Sequence, residues 1–323
     1  MRNRTILVIA VSVLAVACGP KKAKEAAQAA SGRDFPMVEI PSVYTDPAVR
    51  GEYMAAHYWD RFLSGAADWP CDSLTVLGVP RSRLEEQFAN YSALLGMLDV
   101  RTGSRAVQAL FDKAEAAQKE APSSNVLEAF SNLSEHYLYD PNSPYRNEDL
   151  YLPFVQGLAK SSLTDPDKVP AYEFTARNCA KNAAGTPAAD FRFTDYAGRT
   201  RRLYDIRAGH TLLIFSNPGC EACKTLYSNL VANPFLSESI KSGRIAVVNV
   251  YIDEDLEAWR NYRETYPEDW YNGYDPTFTI RRDLLYDVRG IPSVYVLDSE
   301  KRVVLKDAPE ERVYSFLNSL LGE

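Results

Sequence analysis

The sequence predicts an α+β chain in two parts: an all-α domain, then an α/β domain with a mixed sheet flanked by helices. Three observations carry this expectation. Apolar residues recur at helical spacing through residues 36–182. After Gly185-Thr186-Pro187 the period changes to alternation and to continuous apolar runs of strand length. Those runs then alternate with helical segments, an order that builds a mixed sheet covered by helices. Length agrees, since 323 residues at roughly 100 to 200 residues per domain allow about two domains. The net charge of -7 argues against a nucleic-acid partner, because a polyanion needs a basic face and this chain carries more carboxylates than Lys and Arg.

The first 18 residues read as a targeting segment. Arg2 and Arg4 give a positive start, residues 6–16 are one apolar run, and Ala15-Val16-Ala17-Cys18 ends it with small residues before a cysteine. The run is too short to span a bilayer as a mature helix, which needs roughly 20 apolar residues. These residues resemble a bacterial lipoprotein signal, although Ala15 stands where such signals usually carry Leu. The resemblance implies lipidation at Cys18 and a membrane-anchored protein facing the periplasm, with the leaflet undetermined. Residues 19–35, rich in Ala, Lys, Ser and Gly, are expected to be a flexible tether that cannot build a core.

The helical domain is expected over residues 36–182. Thr45-Asp46-Pro47 is a helix-start signal, and Tyr53, Ala56, His57, Phe62 and Leu63 follow at helical spacing. Further segments fall at 81–98, 103–119, 123–138, 147–159 and 167–182, separated by breakers that include Pro122, Pro141, Pro144 and Pro166. Tyr58, Trp59, Tyr137, Tyr139, Tyr145 and Tyr151 would form either a core or a peptide- or glycan-binding groove. Residues 139–148, with Pro141, Pro144, Arg146 and Glu148, form either a rigid functional loop or an elaborate helix cap. The stretch from 41 to about 168 resembles a helical domain of unknown function that precedes thioredoxin-like modules in bacterial lipoproteins.

The second domain is expected over residues 185–323. Residues 190–194 and 200–206 form a hairpin, and Thr211-Leu212-Leu213-Ile214-Phe215 is a buried strand. A Ser216-Asn217-Pro218-Gly219 corner leads into a helix over 224–231. A strand at 244–252, a helix from about 255, strands at 293–298 and 303–306, and a terminal helix from 310 complete the set.

The chemistry sits at Cys220-Glu221-Ala222-Cys223, where a buried strand turns into a helix. There the first thiol faces the unpaired N–H groups and positive end of the helix, which stabilise a thiolate. Such a thiolate attacks a disulfide, and a second thiol one turn on resolves the mixed disulfide, so Cys220 and Cys223 are the catalytic candidates. Other readings fit less well. Zinc would want two more ligands, but no second CxxC or HxxxH exists and His57, His136 and His210 all precede the motif. Covalent haem would need His where Lys224 stands. No metal or cofactor beyond the redox-active disulfide is expected.

A second mark lies roughly 70 residues on, where Gly290-Ile291-Pro292-Ser293-Val294-Tyr295-Val296 puts a proline directly before a strand. With the CxxC, this resembles the thioredoxin-like (TlpA/ResA-like) thiol-disulfide oxidoreductases tethered in bacterial periplasms, over about residues 185–322. The resemblance implies a cis Pro292 beside the cysteines and an Ile291 backbone that hydrogen-bonds an incoming peptide like an added strand. Two departures matter: Gly219 stands where thioredoxin has Trp, and Glu221-Ala222 where it has Gly-Pro. A carboxylate beside Cys220 opposes the thiolate and predicts a weaker oxidant than the strongly oxidising members.

The expected function is therefore a periplasmic, membrane-tethered thiol-disulfide oxidoreductase acting on protein thiols and disulfides, supplied by a membrane or periplasmic electron donor. The alternative is a binding lipoprotein whose helical domain captures a peptide or glycan, with the second domain as scaffold. Cys71 and Cys179 either pair, or Cys179 relays electrons to Cys220, or both are inert, and the inert reading is preferred. Aromatics at Trp259, Tyr262, Tyr266, Trp270, Tyr271 and Tyr274 fit the rim of the dithiol and the core equally well.

Overall fold

A computed structural model describes residues 33–70 and 72–321. The signal segment, Cys18, most of the expected tether and Cys71 lie outside the described residues. The tether expected to reach residue 35 ends sooner. Arg33 N donates to Gly78 O at 2.8 Å, its guanidinium donates to the carbonyls of Arg61 and Phe62, and Phe35 is buried 5.4 Å from the Phe62 ring. Two residues of ordered apolar and carbonyl contact are enough to fix the chain there.

Among the described residues, six helices of nine residues or more build the first domain: α1 (Pro47–His57), α2 (Arg81–Gly96), α3 (Val100–Glu120), α4 (Val126–Ser134), α5 (Glu148–Lys160) and α6 (Val169–Cys179), with a single helical turn at Asp60–Leu63. Helix α1 starts where Asp46 accepts from the amides of Ala48 (2.8 Å) and Val49 (3.1 Å), with Pro47 in the first turn. Helix α3 begins three residues earlier than expected because Asp99 caps it, accepting from Thr102 N at 3.0 Å. Helix α4 continues into a π-helical turn, Glu135–Tyr139, and Asn147 then caps α5 by accepting from Leu150 N. A short hairpin, Thr75–Val76 with Val79–Pro80, was not foreseen.

Edge-to-face aromatic packing centres this core, with Trp59 4.9 Å from Phe130 and 5.5 Å from Tyr91. Tyr58, Trp59 and Tyr151 are buried, so for these three the core role holds. Each such side chain contributes on the order of 1.5–3 kcal/mol through burial.

The second domain holds a seven-stranded mixed sheet. Its strands are β1 (Arg192–Asp195), β2 (Thr200–Arg202), β3 (His210–Phe215), β4 (Ile245–Tyr251), β5 (Tyr271–Tyr274), β6 (Ser293–Leu297) and β7 (Val303–Leu305), in the order β2-β1-β5-β4-β3-β6-β7. Central β3 runs parallel to β4 and antiparallel to β6. Along β3 the side chains alternate: Leu212 and Ile214 join one face's core, Leu213 and Phe215 the other's. Helices α7 (Glu221–Ala232), α8 (Pro234–Lys241), α9 (Leu256–Asn261) and α10 (Glu310–Leu321) flank the sheet, with a single helical turn at Thr279–Arg282.

Three local expectations are corrected. Strand β5 falls in the stretch read only as an aromatic insert. Helix α8 was missed, although Asn233 caps it by accepting from Phe235 N and Leu236 N at 3.0 Å each. The hairpin's second arm ends at Arg202 and not at Ile206, because Asp205 turns back to accept from Arg202 N at 3.0 Å. Trp259, Tyr266 and Trp270 are buried core residues, and Trp259 stacks on Tyr196 at 4.0 Å.

Candidate active site

The register of the sheet places the site. Phe215, the last residue of β3, pairs with Ser293, the first of β6. The chain leaving β3 and the chain entering β6 therefore meet at the same end of the sheet. Between Phe215 and α7 the corner turns at Gly219, whose φ of 75° is left-handed backbone that glycine adopts without strain.

Cys220 is the N-cap of α7 and accepts from Cys223 N at 3.2 Å through its sulfur. The two cysteines form a disulfide, with their Cα atoms 5.2 Å apart. Cys220 is half-buried, whereas Cys223 is only 1% exposed. An external partner can thus reach the first sulfur and not the second. In the reduced state the amide that points at Cys220 Sγ, together with the helix dipole, would favour its thiolate.

The Ile291–Pro292 peptide bond is cis. The Ile291 carbonyl oxygen lies 3.8 Å from Cys220 Sγ, and among the described residues the Ile291 amide has no acceptor. A groove of about 310 Å³ runs beside it. Ala222, Ile291 and Pro292 line one side; Pro141 and Pro144, from the helical domain, line the other.

The carboxylate beside Cys220 is less isolated than the sequence suggests. Glu221 is 82% exposed and pairs with Lys224 at 2.6 Å, so solvent and a cation both weaken its field at the sulfur. Beneath the corner lies a neutral network. Ser216 Oγ donates to Asn249 Oδ1 at 2.6 Å, Tyr227 OH donates to the same oxygen at 3.3 Å, and Asn249 Nδ2 donates to Asn272 at 3.1 Å. Burial pushes the Tyr227 phenol well above its ordinary value. Sequence reasoning missed this network, yet a signal existed: Asn249 is the one amide in the otherwise apolar Ile245–Tyr251 run.

The domain family described as Domain of unknown function (DUF5106) matches residues 17–180, just over half of the chain. A thioredoxin-like protein from Bacteroides caccae is 31% identical, over 91% of this chain and all of that one, with a TM-score of 0.77. The chain belongs to the thioredoxin-like family. Its N-terminal half belongs to the DUF5106 family. Two further solved structures from Bacteroides match a smaller share of the chain. One is the C-terminal domain of an uncharacterized protein of B. fragilis, 39% identical over 43% of this chain and 99% of that one, TM-score 0.41. The other is the thioredoxin domain of a thiol-disulfide oxidoreductase of B. vulgatus, 22% identical over the same shares, TM-score 0.38. No curated protein matches the chain significantly.

The thioredoxin-like domain and the DUF5106 domain meet at the cis-proline loop. Arg289 donates to Glu148 Oε1 at 2.8 and 3.1 Å and to the Tyr139 carbonyl, and its guanidinium lies 3.7 Å from the centre of the Tyr139 ring. Lys306, also buried, reaches Glu148 at 2.7 Å and the Cys179 carbonyl at 2.6 Å. Burial alone would lower the Arg289 guanidinium, but Glu148, together with Tyr139 and Asp307, more than offsets it and holds the cation. None of these pairings is legible in the sequence, because the partners stand more than a hundred residues apart.

Cys179 is buried and, among the described residues, has no sulfur partner. Burial pushes its thiol up to about 12, which suits an inert thiol and not a relay to Cys220.

Proposed function

We propose that this thioredoxin-like protein is a thiol-disulfide oxidoreductase, tethered through Cys18 to a bacterial membrane and facing the periplasm. The observation that carries the redox reading is the Cys220–Cys223 disulfide at the N-terminus of α7, with the half-buried Cys220 sulfur facing the cis Ile291–Pro292 bond. The Cys220 thiolate attacks one sulfur of a substrate disulfide. The substrate S–S bond breaks, one substrate sulfur leaves as a thiolate and takes up a proton, and Cys220 holds the other in a mixed disulfide. The Cys223 thiolate then attacks Cys220 Sγ, releasing the second substrate thiol and closing the internal disulfide. Two electrons have passed to the substrate, and a dithiol electron donor at the membrane or in the periplasm restores the reduced pair. Ile291 N–H and C=O are placed to pair with the substrate backbone as with an added strand, Pro292 shaping the groove.

Cysteine variants test this. Cys223→Ser should accumulate mixed disulfides at Cys220 that mass spectrometry detects, and Cys220→Ser should lose exchange activity by at least about a hundredfold, because Cys223 is shielded. If both variants exchange disulfides as the wild type does, the chemistry does not reside in this pair and the protein is better read as a binding lipoprotein.

A further inference from the structure

We propose that residues 140–146 of the DUF5106 domain are the second wall of the substrate groove, and that this groove selects an extended disulfide-bearing peptide with a basic residue near its cysteine. The inference rests on the oxidoreductase reading and adds a substrate class to it. It also gives the DUF5106 domain a role, that of specificity element for the dithiol.

The two walls are in contact. A Cβ placed on Gly290 would lie 2.9 Å from Pro141 Cβ, so the loop and the segment leading to Pro292 pack with no room for a side chain between them. A substrate strand lying along Ile291 must therefore run past Pro141 and Pro144.

The loop is held at both ends. Asp140 Oδ1 accepts from Asn142 N at 2.8 Å, Ser143 Oγ donates to Tyr137 O at 2.6 Å, and it accepts from Tyr145 N at 3.1 Å. At the far end Arg146 donates to the carbonyls of Asp307 (3.0 Å) and Ala308 (3.1 Å), in the segment that leads into α10. A wall fixed by both domains costs little ordering when a peptide binds.

The groove's charge is negative. Arg146 is the one cation lining it among the described residues; its Nε and Nη2 donate to those carbonyls, and the Asp307 carboxylate stands 3.6 Å from its Nε. Glu310 and Glu311 line the same groove with Asp307, so its carboxylates outnumber its one cation. Small apolar surfaces at Ala222, Ile291 and Pro292 leave width for a backbone and short side chains, and the glutamates favour a cation on the strand that enters.

The test uses the reduced wild-type protein and two peptide disulfides identical except for Arg or Glu two residues from the cysteine. A small aromatic disulfide serves as a third substrate that needs no groove. The wild type should reduce the Arg peptide with a kcat/KM roughly fivefold above that of the Glu peptide. Asn142→Arg, at an exposed loop position, should lower that ratio at least about threefold by setting a cation in the wall, and Glu311→Gln should lower it in the same direction. A wild-type ratio near one overturns the basic preference. A ratio that Asn142→Arg leaves unmoved overturns the role of the DUF5106 loop. If the wild type leaves even the aromatic disulfide intact, the oxidoreductase reading fails and takes the inference with it.

Discussion

Arg289 Nη2 stands 2.8 Å from Glu148 Oε1, so the residue three places before the cis proline is paired with the first residue of α5 in the other domain. Glu148 is 1% exposed and also meets Lys306, so one carboxylate faces two cations in a site closed to solvent. Such a pair contributes little net stability when intact, because desolvation of the charges offsets their attraction. Removing Glu148 is costly, since buried Lys306 is left with only the Cys179 carbonyl, and Arg289 with the more distant carboxylates of Asp287 (3.6 Å) and Asp307 (3.8 Å). The arrangement thus fixes the orientation of the cis-proline loop more than it adds to overall stability.

Glu148→Ala should accordingly lower unfolding stability by about 3–5 kcal/mol. The urea midpoint of the thioredoxin-like domain, followed by near-ultraviolet circular dichroism, measures it. An unchanged midpoint would show that Arg289 and Lys306 find water or other carboxylates in the variant, and that the domain contact is looser than the geometry indicates.

Asp307 gives the interface a pH dependence. Burial pushes its carboxyl up to about 6, against the opposing effect of Arg146 and Arg289. Between the unfolded value near 4 and about 6, the folded protein holds a proton that the unfolded chain has lost, so this group's contribution falls as pH rises through that window. Asp307→Asn removes the difference. Relative to wild type, the variant should gain about 3 kcal/mol on going from about pH 4 to about pH 7, read from urea midpoints. Parallel pH profiles for the two proteins would contradict the assignment.

The dithiol's redox poise should respond weakly to its own loop. Lys224→Met leaves Glu221 unpaired, which disfavours the Cys220 thiolate and makes the couple more reducing; Glu221→Gln shifts it the other way. Both side chains are largely solvated, so each shift should stay below about 20 mV. A larger shift, measured by equilibration with thiol buffers, would mean that the carboxylate acts on the sulfur through a drier path than its exposure implies.

Local signals made much of the fold readable. Asp46-Pro47 marked α1, the apolar runs marked β3 and β4, and the Pro292-to-strand junction marked both β6 and the partner of the CxxC. Strand β5 escaped because Tyr271-Asn272-Gly273-Tyr274 is short and lacks alternation, and its pairing with Val248 to Tyr251 is a long-range fact. The hydrophobic pattern likewise says nothing of how two domains dock. That docking depends on Arg146 meeting Asp307 and Ala308, and on Glu148 meeting Arg289 and Lys306, polar contacts between segments that periodicity assigns to separate bodies. Residues 139–148 were recognisable as a distinctive loop, and the cap reading holds, because Asn147 caps α5; that Pro141 abuts the cis-proline loop was not legible.

The reduction potential of the Cys220–Cys223 pair, in the protein beginning after Cys18, tests the central claim most directly. A reversible two-electron transition between roughly -120 and -270 mV is the result expected of a working exchange site. A pair that cannot be cycled, or that stays oxidised well below about -300 mV, would be a structural disulfide and would contradict the account.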